Sequence, residues 1–225
     1  MRKIIFWFLW VGFAGYAFVF APPNQPDTFE LIKNLSTGQW EGINPLIVSL
    51  FNLMGVFPFI YSCMVFIDGK GQIIPAWIFA TFSFGFGAFA LLPYFALREP
   101  NPDFVGKKNV FLKLLDSRIT GILLSVGAIV LVSYGLQGGN WENFIQQWKT
   151  DRFIHVMSLD FCMLCLVFPA LLGDDMARRD MKNPILFWFV SLIPLFGPLA
   201  YLSVRKPLTD DNQEELITNQ KAAAN

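Results

Sequence analysis

The chain contains six apolar stretches, each long enough to cross a lipid bilayer as a helix. A transmembrane helix needs about 20 consecutive apolar residues. The stretches run approximately over residues 4–21, 44–67, 74–97, 119–136, 153–172 and 184–204, and none carries lysine or arginine in its interior. The sequence therefore predicts an all-α, polytopic membrane protein with six transmembrane helices.

The composition agrees with a membrane protein and argues against a soluble one. Hydrophobic residues make up 54% of the chain and charged residues 15%, whereas a typical soluble domain is about 25% charged. Lysine plus arginine equals aspartate plus glutamate at 17 each, so no basic excess indicates a nucleic-acid partner. We expect the lipid bilayer and other membrane proteins as partners.

The first stretch resembles a secretory signal at its two ends. Arg2 and Lys3 provide a basic start, and Val19 to Ala21 resembles a cleavage site. Pro22 and Pro23 follow directly, however, and the apolar run is longer and more aromatic than a usual signal core. We favour a retained helix and keep cleavage as the alternative.

A short motif occurs twice, each time at the end of an apolar stretch. YFALREP covers residues 94–100 and YLSVRKP covers residues 201–207, so a tyrosine, an arginine and a proline recur in register. The repetition extends to whole segments, because each half reads as a span, a short amphipathic segment and two further spans. The amphipathic segments, 27–40 and 140–148, are too polar to span and predict helices in the membrane interface.

Three spans per repeat would make the second copy enter the membrane from the opposite side. The sequence therefore predicts inverted repeats, an arrangement that many transporters use to form a midplane site. We assign residues 1–97 to the first repeat, 98–118 to a connecting segment whose end is helical, 119–207 to the second repeat and 208–225 to a polar, disordered tail. Lysine and arginine are divided almost equally between the two sides, so they do not orient the protein.

Three polar residues in or near the apolar stretches are candidates for a pigment or ion site. Asp160 lies inside the fifth stretch, where a charge is costly and commonly functional. Asn52 is its approximate counterpart in the second stretch and is expected to face it. His155, the only histidine, has the chemistry to ligate a metal, haem or chlorophyll magnesium. Hydrogen bonding within the protein is the alternative for all three.

Other polar residues are expected to anchor the protein or to face solvent. Arg98 and Arg205 end their stretches at the depth of lipid phosphates and predict snorkelling anchors. Trp141 and Trp148 predict anchors at headgroup level, with Asn140 as the N-cap of their helix. The run GDDMARRDMKN, residues 173–183, predicts a solvated surface helix with i, i+4 ion pairs. No catalytic motif or metal-site spacing is evident, so we predict a protein that is not an enzyme and has no metal site.

The run DGKGQIIPAWIFATFSFGFGAFALLPYFALREPNP, residues 68–102, resembles a family of uncharacterised multi-span membrane proteins of cyanobacteria and plant plastids. The second half, from NWENFIQQW to YLSVRKP, resembles a short bacterial membrane domain of unknown function. The resemblance implies a thylakoid or plasma membrane of a photosynthetic organism, and an assembly or auxiliary role beside membrane complexes, with chlorophyll or carotenoid as a conceivable cofactor. A small-solute or ion transporter is the alternative.

Overall fold

The computed structural model describes residues 2–104, 107–181 and 183–208, and every regular element within these ranges is helical. The helices are α1 Arg2–Gly15, extended by a π-helical turn Tyr16–Phe20; α2 Thr28–Thr37; α3 Pro45–Asp68, extended by a 3-10 turn Gly69–Gly71; α4 Ala76–Leu97; α5 Val110–Asp116; α6 Arg118–Gly138; α7 Trp141–Thr150; α8 Arg152–Val167; α9 Pro169–Arg178; α10 Pro184–Leu192; and α11 Phe196–Val204.

Five helical segments are long and apolar enough to cross a membrane. They are Arg2–Phe20, Pro45–Gly71, Ala76–Leu97, Arg118–Gly138 and Arg152–Arg178. The prediction of an all-α, multi-pass membrane protein is thereby confirmed. The short amphipathic helices are also present as α2 and α7, and the Asn140 side chain accepts a hydrogen bond from the backbone of Asn143 as the N-cap of α7. The helical end of the connecting segment is α5.

The sixth predicted span, 184–204, is not one helix. It is divided into α10 and α11 by residues 193–195, where Leu195 has a positive φ of 59°. Pro194 has no backbone donor to continue the helix. The chain then turns back on itself, since a Cβ on Gly197 would overlap the carbonyl group of Val190. We call residues 184–204 the second hairpin.

Helix α4 also turns back, at Gly87. This glycine has φ 48° and ψ −125°, values outside any helix. The residues on either side of α4 are in contact, because Gln72 and Glu99 exchange two hydrogen bonds of 2.8 Å. A straight helix of its 22 residues would be about 33 Å long, which would keep these residues far apart. We call residues 76–97 the first hairpin.

The two repeat copies therefore point the same way. Arg178 lies between them, with one terminal nitrogen 3.1 Å from Asp68 at the base of the first hairpin and the other 3.7 Å from Asp175 at the base of the second. Inverted repeats would place these two bases at opposite ends of the bundle. The prediction of inverted repeats is wrong, because each half contains a returning hairpin where a third crossing was expected.

We call the end that holds both hairpin bases the charged end, and the other end the amide end. At the amide end the side chain of Asn44, the N-cap of α3, donates to the carbonyl of Asn140 at 2.7 Å and to the Asn143 side chain at 2.9 Å. These contacts join the start of α3 to the start of α7. The division into repeats at 97 and 119 stays a prediction, and the tail beyond Leu208 lies outside the described residues.

The outer helices pack on the returning arms of the hairpins in equivalent ways. Helix α1 stacks Phe13 on Phe89 of the first hairpin, with ring centroids 4.3 Å apart. Helix α6 approaches the second hairpin so closely that a Cβ on Gly121 would lie 2.5 Å from the Leu202 backbone. Helix α3 lies centrally and packs on α6, where the Ser49 hydroxyl donates to the Leu131 carbonyl at 2.7 Å.

Candidate functional site

A cavity of about 890 Å³ runs along the first hairpin, from Ile78 and Pro93 on its arms past Gly87 at its tip, and continues below the tip between α1, α3 and α8. Each arm of the hairpin has about half of its 22 residues, which at 1.5 Å per residue fills roughly 16 Å of depth. The remaining depth between α1, α3 and α8 is left open toward the amide end. The large apolar side chains that line the cavity include Trp10, Phe18, Phe51, Met54, Phe86 and Phe153.

The cavity opens to the outside of the helix bundle. Phe18 and Phe86 line it and are 76% and 60% exposed. Helices α1 and α8 flank the opening. Among the described residues, the hydrogen bonds that join the two segments lie near the amide end: Tyr16 pairs with His155, and Arg152 donates to Pro22 and Pro23. The exposed surface around the opening is apolar, as is typical of surfaces that contact a membrane.

Few polar residues line the cavity, and they lie at different depths. Asn24, Thr28 and Arg152 lie at the amide end. Asp160 lies eight residues further along the same helical segment, about 12 Å deeper at 1.5 Å per residue. The site therefore combines a long aromatic wall with a basic group at its amide end, which we call the mouth, and an acid beside the tip of the first hairpin.

Asp160 closes the tip of the first hairpin. Its carboxylate accepts a hydrogen bond of 2.8 Å from the backbone N–H of Ala88, the first residue after the turn. A Cβ on Gly87 would overlap the same carboxylate, so only glycine fits there. An acid at the N-terminus of a helix accepts a hydrogen bond from a free backbone N–H and interacts favourably with the positive end of the helix dipole. Asp160 thus both positions the hairpin and lines the cavity.

Asn52 does not meet Asp160. Its side-chain amide donates to the carbonyl of Val48 in its own helix at 2.8 Å, and it is not among the residues that line the cavity. The expected pairing of the two residues is not found. Asn52 satisfies its donor locally, as polar side chains within membrane helices commonly do.

His155 uses both ring nitrogens within the protein. Nε2 pairs with the Tyr16 hydroxyl at 2.9 Å and Nδ1 with the Trp148 carbonyl at 2.8 Å. The ring also stacks on Trp148, with centroids 4.4 Å apart. No nitrogen is left to ligate a metal or a chlorophyll magnesium, so the structure does not support that prediction. His155 instead joins α1, α7 and α8 at the amide end.

The charged end contains a buried network that the sequence analysis missed. Asp68, at the end of α3, accepts hydrogen bonds from Tyr94 at 2.5 Å and from Arg98 at 2.5 and 2.7 Å. Asp174 also accepts a hydrogen bond from Arg98. Burial alone would lower the pKa of the Arg98 guanidinium, but its bonds to Asp68 and Asp174 raise that pKa above the ordinary value.

The second repeat builds the same arrangement around Asp175. This carboxylate accepts hydrogen bonds from Tyr201 at 2.7 Å and Arg205 at 3.1 Å. In both copies the aspartate precedes the tyrosine by 26 residues and the arginine by 30. This shared spacing was the available signal, and it was missed because the aspartates lie outside the repeated heptapeptide.

Two predictions about these residues are wrong. Arg98 and Arg205 are only 1% and 0% exposed, so they are not snorkelling anchors. Within the run 173–183, predicted as a solvated face, Asp175 and Arg179 are instead buried and form an ion pair with an N–O distance of 2.8 Å; Lys182 lies outside the described residues. The buried aspartates at this end, Asp68, Asp116 and Asp175, each pair with a basic side chain, which compensates their loss of hydration.

The tryptophans predicted as interface anchors differ in their surroundings. Trp141 is 55% exposed on α7, an exposure that suits contact with headgroups. Trp148 is half-buried: its ring stacks on His155, and its backbone carbonyl pairs with Nδ1 of that histidine. The anchoring role of both residues stays a prediction.

Comparisons of the chain with protein-family models, curated proteins and solved structures find no match. The resemblance noted from the sequence therefore stays a prediction, and function is argued from the cavity and the hairpins.

Proposed function

We propose that this chain is a non-enzymatic, multi-pass membrane protein that holds a small apolar or amphipathic molecule in the cavity below the first hairpin. The observation that carries the proposal is the aromatic-lined space of about 890 Å³ open to the side of the bundle. Pockets for small molecules are usually about 300–1,000 Å³ and mostly apolar, with a few placed polar groups. The only histidine, His155, hydrogen-bonds within the protein and does not line the cavity, which argues against acid–base catalysis by histidine at this site.

The proposal includes a membrane topology. The helices α1, α3 and α6 and the pair α8–α9 cross the bilayer, while the two hairpins enter from the charged end and return to it. Non-helical backbone at membrane depth is tolerated where it is buried in protein or lines a cavity, and Gly87 does line the cavity. Each repeat then crosses twice, and both repeats have the same orientation.

Labelling of single cysteines tests this topology. The test uses a background in which Cys63, Cys162 and Cys165 are replaced, and introduces Lys70→Cys before the first hairpin or Asp103→Cys after it; both positions are exposed. A membrane-impermeant maleimide should reach both from the same side of intact vesicles. A matched Gln39→Cys at the amide end should react from the other side. Labelling of positions 70 and 103 from opposite sides would refute the hairpin.

Filling the cavity tests the binding proposal. Gly55 lines the cavity, and a Cβ there would meet nothing within 4 Å, so Gly55→Phe adds a ring without a clash at its root. Gly127 on α6 has equally open surroundings but does not line the cavity, so Gly127→Phe is the matched control. Thermal unfolding checks that both variants fold.

The readout is photo-crosslinking by a 16-carbon alcohol that carries a diazirine in mid-chain. In the unmodified protein we expect crosslinks concentrated on cavity peptides around Phe51 and Phe153. Gly55→Phe should reduce them severalfold, and Gly127→Phe should leave them unchanged. Uniform labelling of all lipid-facing helices, with no effect of Gly55→Phe, would overturn the proposal.

The biological setting is proposed from the resemblance. It comprises a photosynthetic membrane, an assembly or auxiliary role beside membrane complexes, and chlorophyll or carotenoid as occupant. An absorption spectrum of the protein, gently purified from its native membrane, tests the pigment. Stoichiometric pigment bands lost in Gly55→Phe would support it, and a colourless protein would remove pigment from the proposal.

Transport is a second candidate, favoured by one observation: Asp160 lies at the break of a discontinuous helix. Broken helices and acids within the membrane form ion and proton sites in many transporters. Proton flux into liposomes should then be lost in Asp160→Asn, measured on a variant that keeps its thermal stability. Absence of flux in the unmodified protein would remove this candidate.

A further inference from the structure

We infer that the occupant of the cavity is a single-chain amphiphile with an anionic headgroup, held by Arg152 at the amide end. The inference rests on the proposed function, and it adds the ligand's charge and its direction in the membrane. The headgroup lies at the mouth and the apolar chain runs along the aromatic wall toward the tip of the first hairpin.

Arg152 is held in place but not neutralised. It is the first residue of α8; its Nε donates to the Pro22 carbonyl at 2.8 Å, and its backbone N–H donates to the Pro23 carbonyl at 3.2 Å. Within the described ranges no carboxylate lies within 4.0 Å of its guanidinium. The adjacent Asp151 does not pair with this guanidinium; its Oδ1 instead caps α8 by accepting from the backbone N–H groups of Phe153 and Ile154.

This distinguishes Arg152 from four arginines buried at the charged end, each of which pairs with at least one aspartate: Arg98, Arg178, Arg179 and Arg205. A guanidinium fixed through Nε keeps its two terminal nitrogens as donors. These can bind carboxylate or phosphate oxygens in a bidentate manner. Arg152 also lines the cavity, so a ligand in the cavity reaches it.

The depth of the lining groups sets the direction of the ligand. Asn24 lies at the mouth with Arg152 and adds an amide donor. Thr28 also lines the mouth, but its hydroxyl already donates to the Gln25 carbonyl at 2.8 Å. Phe153, Val156 and Met157 follow on the same face of α8 before Asp160 is reached. A polar headgroup fits the first level and an acyl or isoprenoid chain fits the second. A cationic headgroup would meet the unpaired Arg152 at the mouth and is disfavoured.

Three probes with the same diazirine-bearing 16-carbon chain test the headgroup: the carboxylic acid, the alcohol and the primary amine. They are compared at equal mole fraction in nanodiscs of zwitterionic lipid. We expect the acid to crosslink to cavity peptides about tenfold more than the alcohol, as one charge-assisted pair provides, and the amine to crosslink least. Arg152→Gln should reduce the acid to the level of the alcohol, and Arg152→Lys should keep part of the preference.

Arg118→Gln is the matched control. Arg118 also begins a long helix and donates its Nε to a backbone carbonyl, that of Arg205, at 2.9 Å, but it does not line the cavity. This variant should leave the preference for the acid intact. Thermal unfolding identifies any variant that fails to fold. If Arg152→Gln fails, the proposal is judged from Arg152→Lys and from the ratio of crosslinking by the acid and alcohol probes in the unmodified protein.

The outcomes separate the two proposals. Equal labelling by acid and alcohol, or an equal loss of both in Arg152→Gln, would overturn the anionic headgroup while the cavity stays a binding site. Absence of cavity labelling by every probe would overturn the proposed function itself. Competition then identifies the source: displacement of the acid by single-chain lysophosphatidylglycerol but not by lysophosphatidylcholine supports a lipid with a phosphate headgroup, and displacement by unlabelled fatty acid alone supports a free fatty acid.

Discussion

Replacement of Asp175 by asparagine tests whether the buried network holds the second hairpin in place. The change keeps the size of the side chain and removes its charge. Asp175 is fully buried and accepts hydrogen bonds from Arg179 at 2.8 and 3.2 Å, from Tyr201 at 2.7 Å and from Arg205 at 3.1 Å. Asparagine would leave these arginines facing one another, with Asp116 as the nearest remaining acid.

The expected cost follows from this loss of compensation. Breaking a buried ion pair by removing one partner destabilises a protein by about 3–5 kcal/mol, because the charge left behind is uncompensated. In a chain of 225 residues, 1 kcal/mol corresponds to roughly 2–4 °C in melting temperature. We therefore expect Asp175→Asn to lower the melting temperature by about 6–20 °C. Asp68→Asn should cost a similar amount, since Asp68 has the equivalent partners in the first repeat.

The assay is thermal unfolding in mild detergent, followed by tryptophan fluorescence. Asp103→Asn is the matched control: Asp103 is exposed, and we expect no measurable shift. A shift for Asp175→Asn no larger than that of the control would refute the reasoning, because the network would then contribute nothing to the stability of the hairpin. Recovery of stability by Asp175→Glu would show that the charge, and not the shape alone, is required.

Two further predictions concern glycines at which a larger side chain would strain the backbone or clash with a neighbouring segment. Gly87→Ala should destabilise the fold by at least about 1 kcal/mol, because φ is positive and the new Cβ overlaps Asp160, whereas Gly85→Ala, with open space at its Cβ, should unfold as the parent does. Gly121→Leu should lower stability by about 1–3 kcal/mol through overpacking against Leu202, while Gly127→Leu should be neutral. Both pairs are measured by thermal unfolding, and equal stability within either pair would contradict the corresponding packing argument.

Much of the local structure could be predicted from the sequence. The apolar stretches predicted the membrane class, and the amphipathic segment 140–148 predicted α7, with Asn140 as its N-cap. The recurrence of tyrosine and arginine pointed to a repeat. These features depend on near neighbours in the chain, so a pattern of residue types is sufficient to find them.

The candidate site was predicted only in part. Asp160 was identified because an acid in an apolar run is costly, and it does line the cavity. Arg152 gave no such signal, because a basic residue at the end of a span is ordinary. Arg152 is a candidate ligand because no carboxylate of the described residues pairs with its guanidinium. Whether such a pair forms is decided by the packing of helices that are distant in sequence.

The sequence by itself determined that this chain is a helical membrane protein with a repeated motif. Only the tertiary structure decided the orientation of the repeats, the burial of Arg98 and Arg205 and the existence of the cavity. Hydropathy averages over a window and does not depend on direction, so a straight helix of 22 residues and a hairpin of the same length look alike. The distinction rests on one backbone conformation at Gly87 and on contacts, such as Arg98 with Asp68, between residues 30 positions apart.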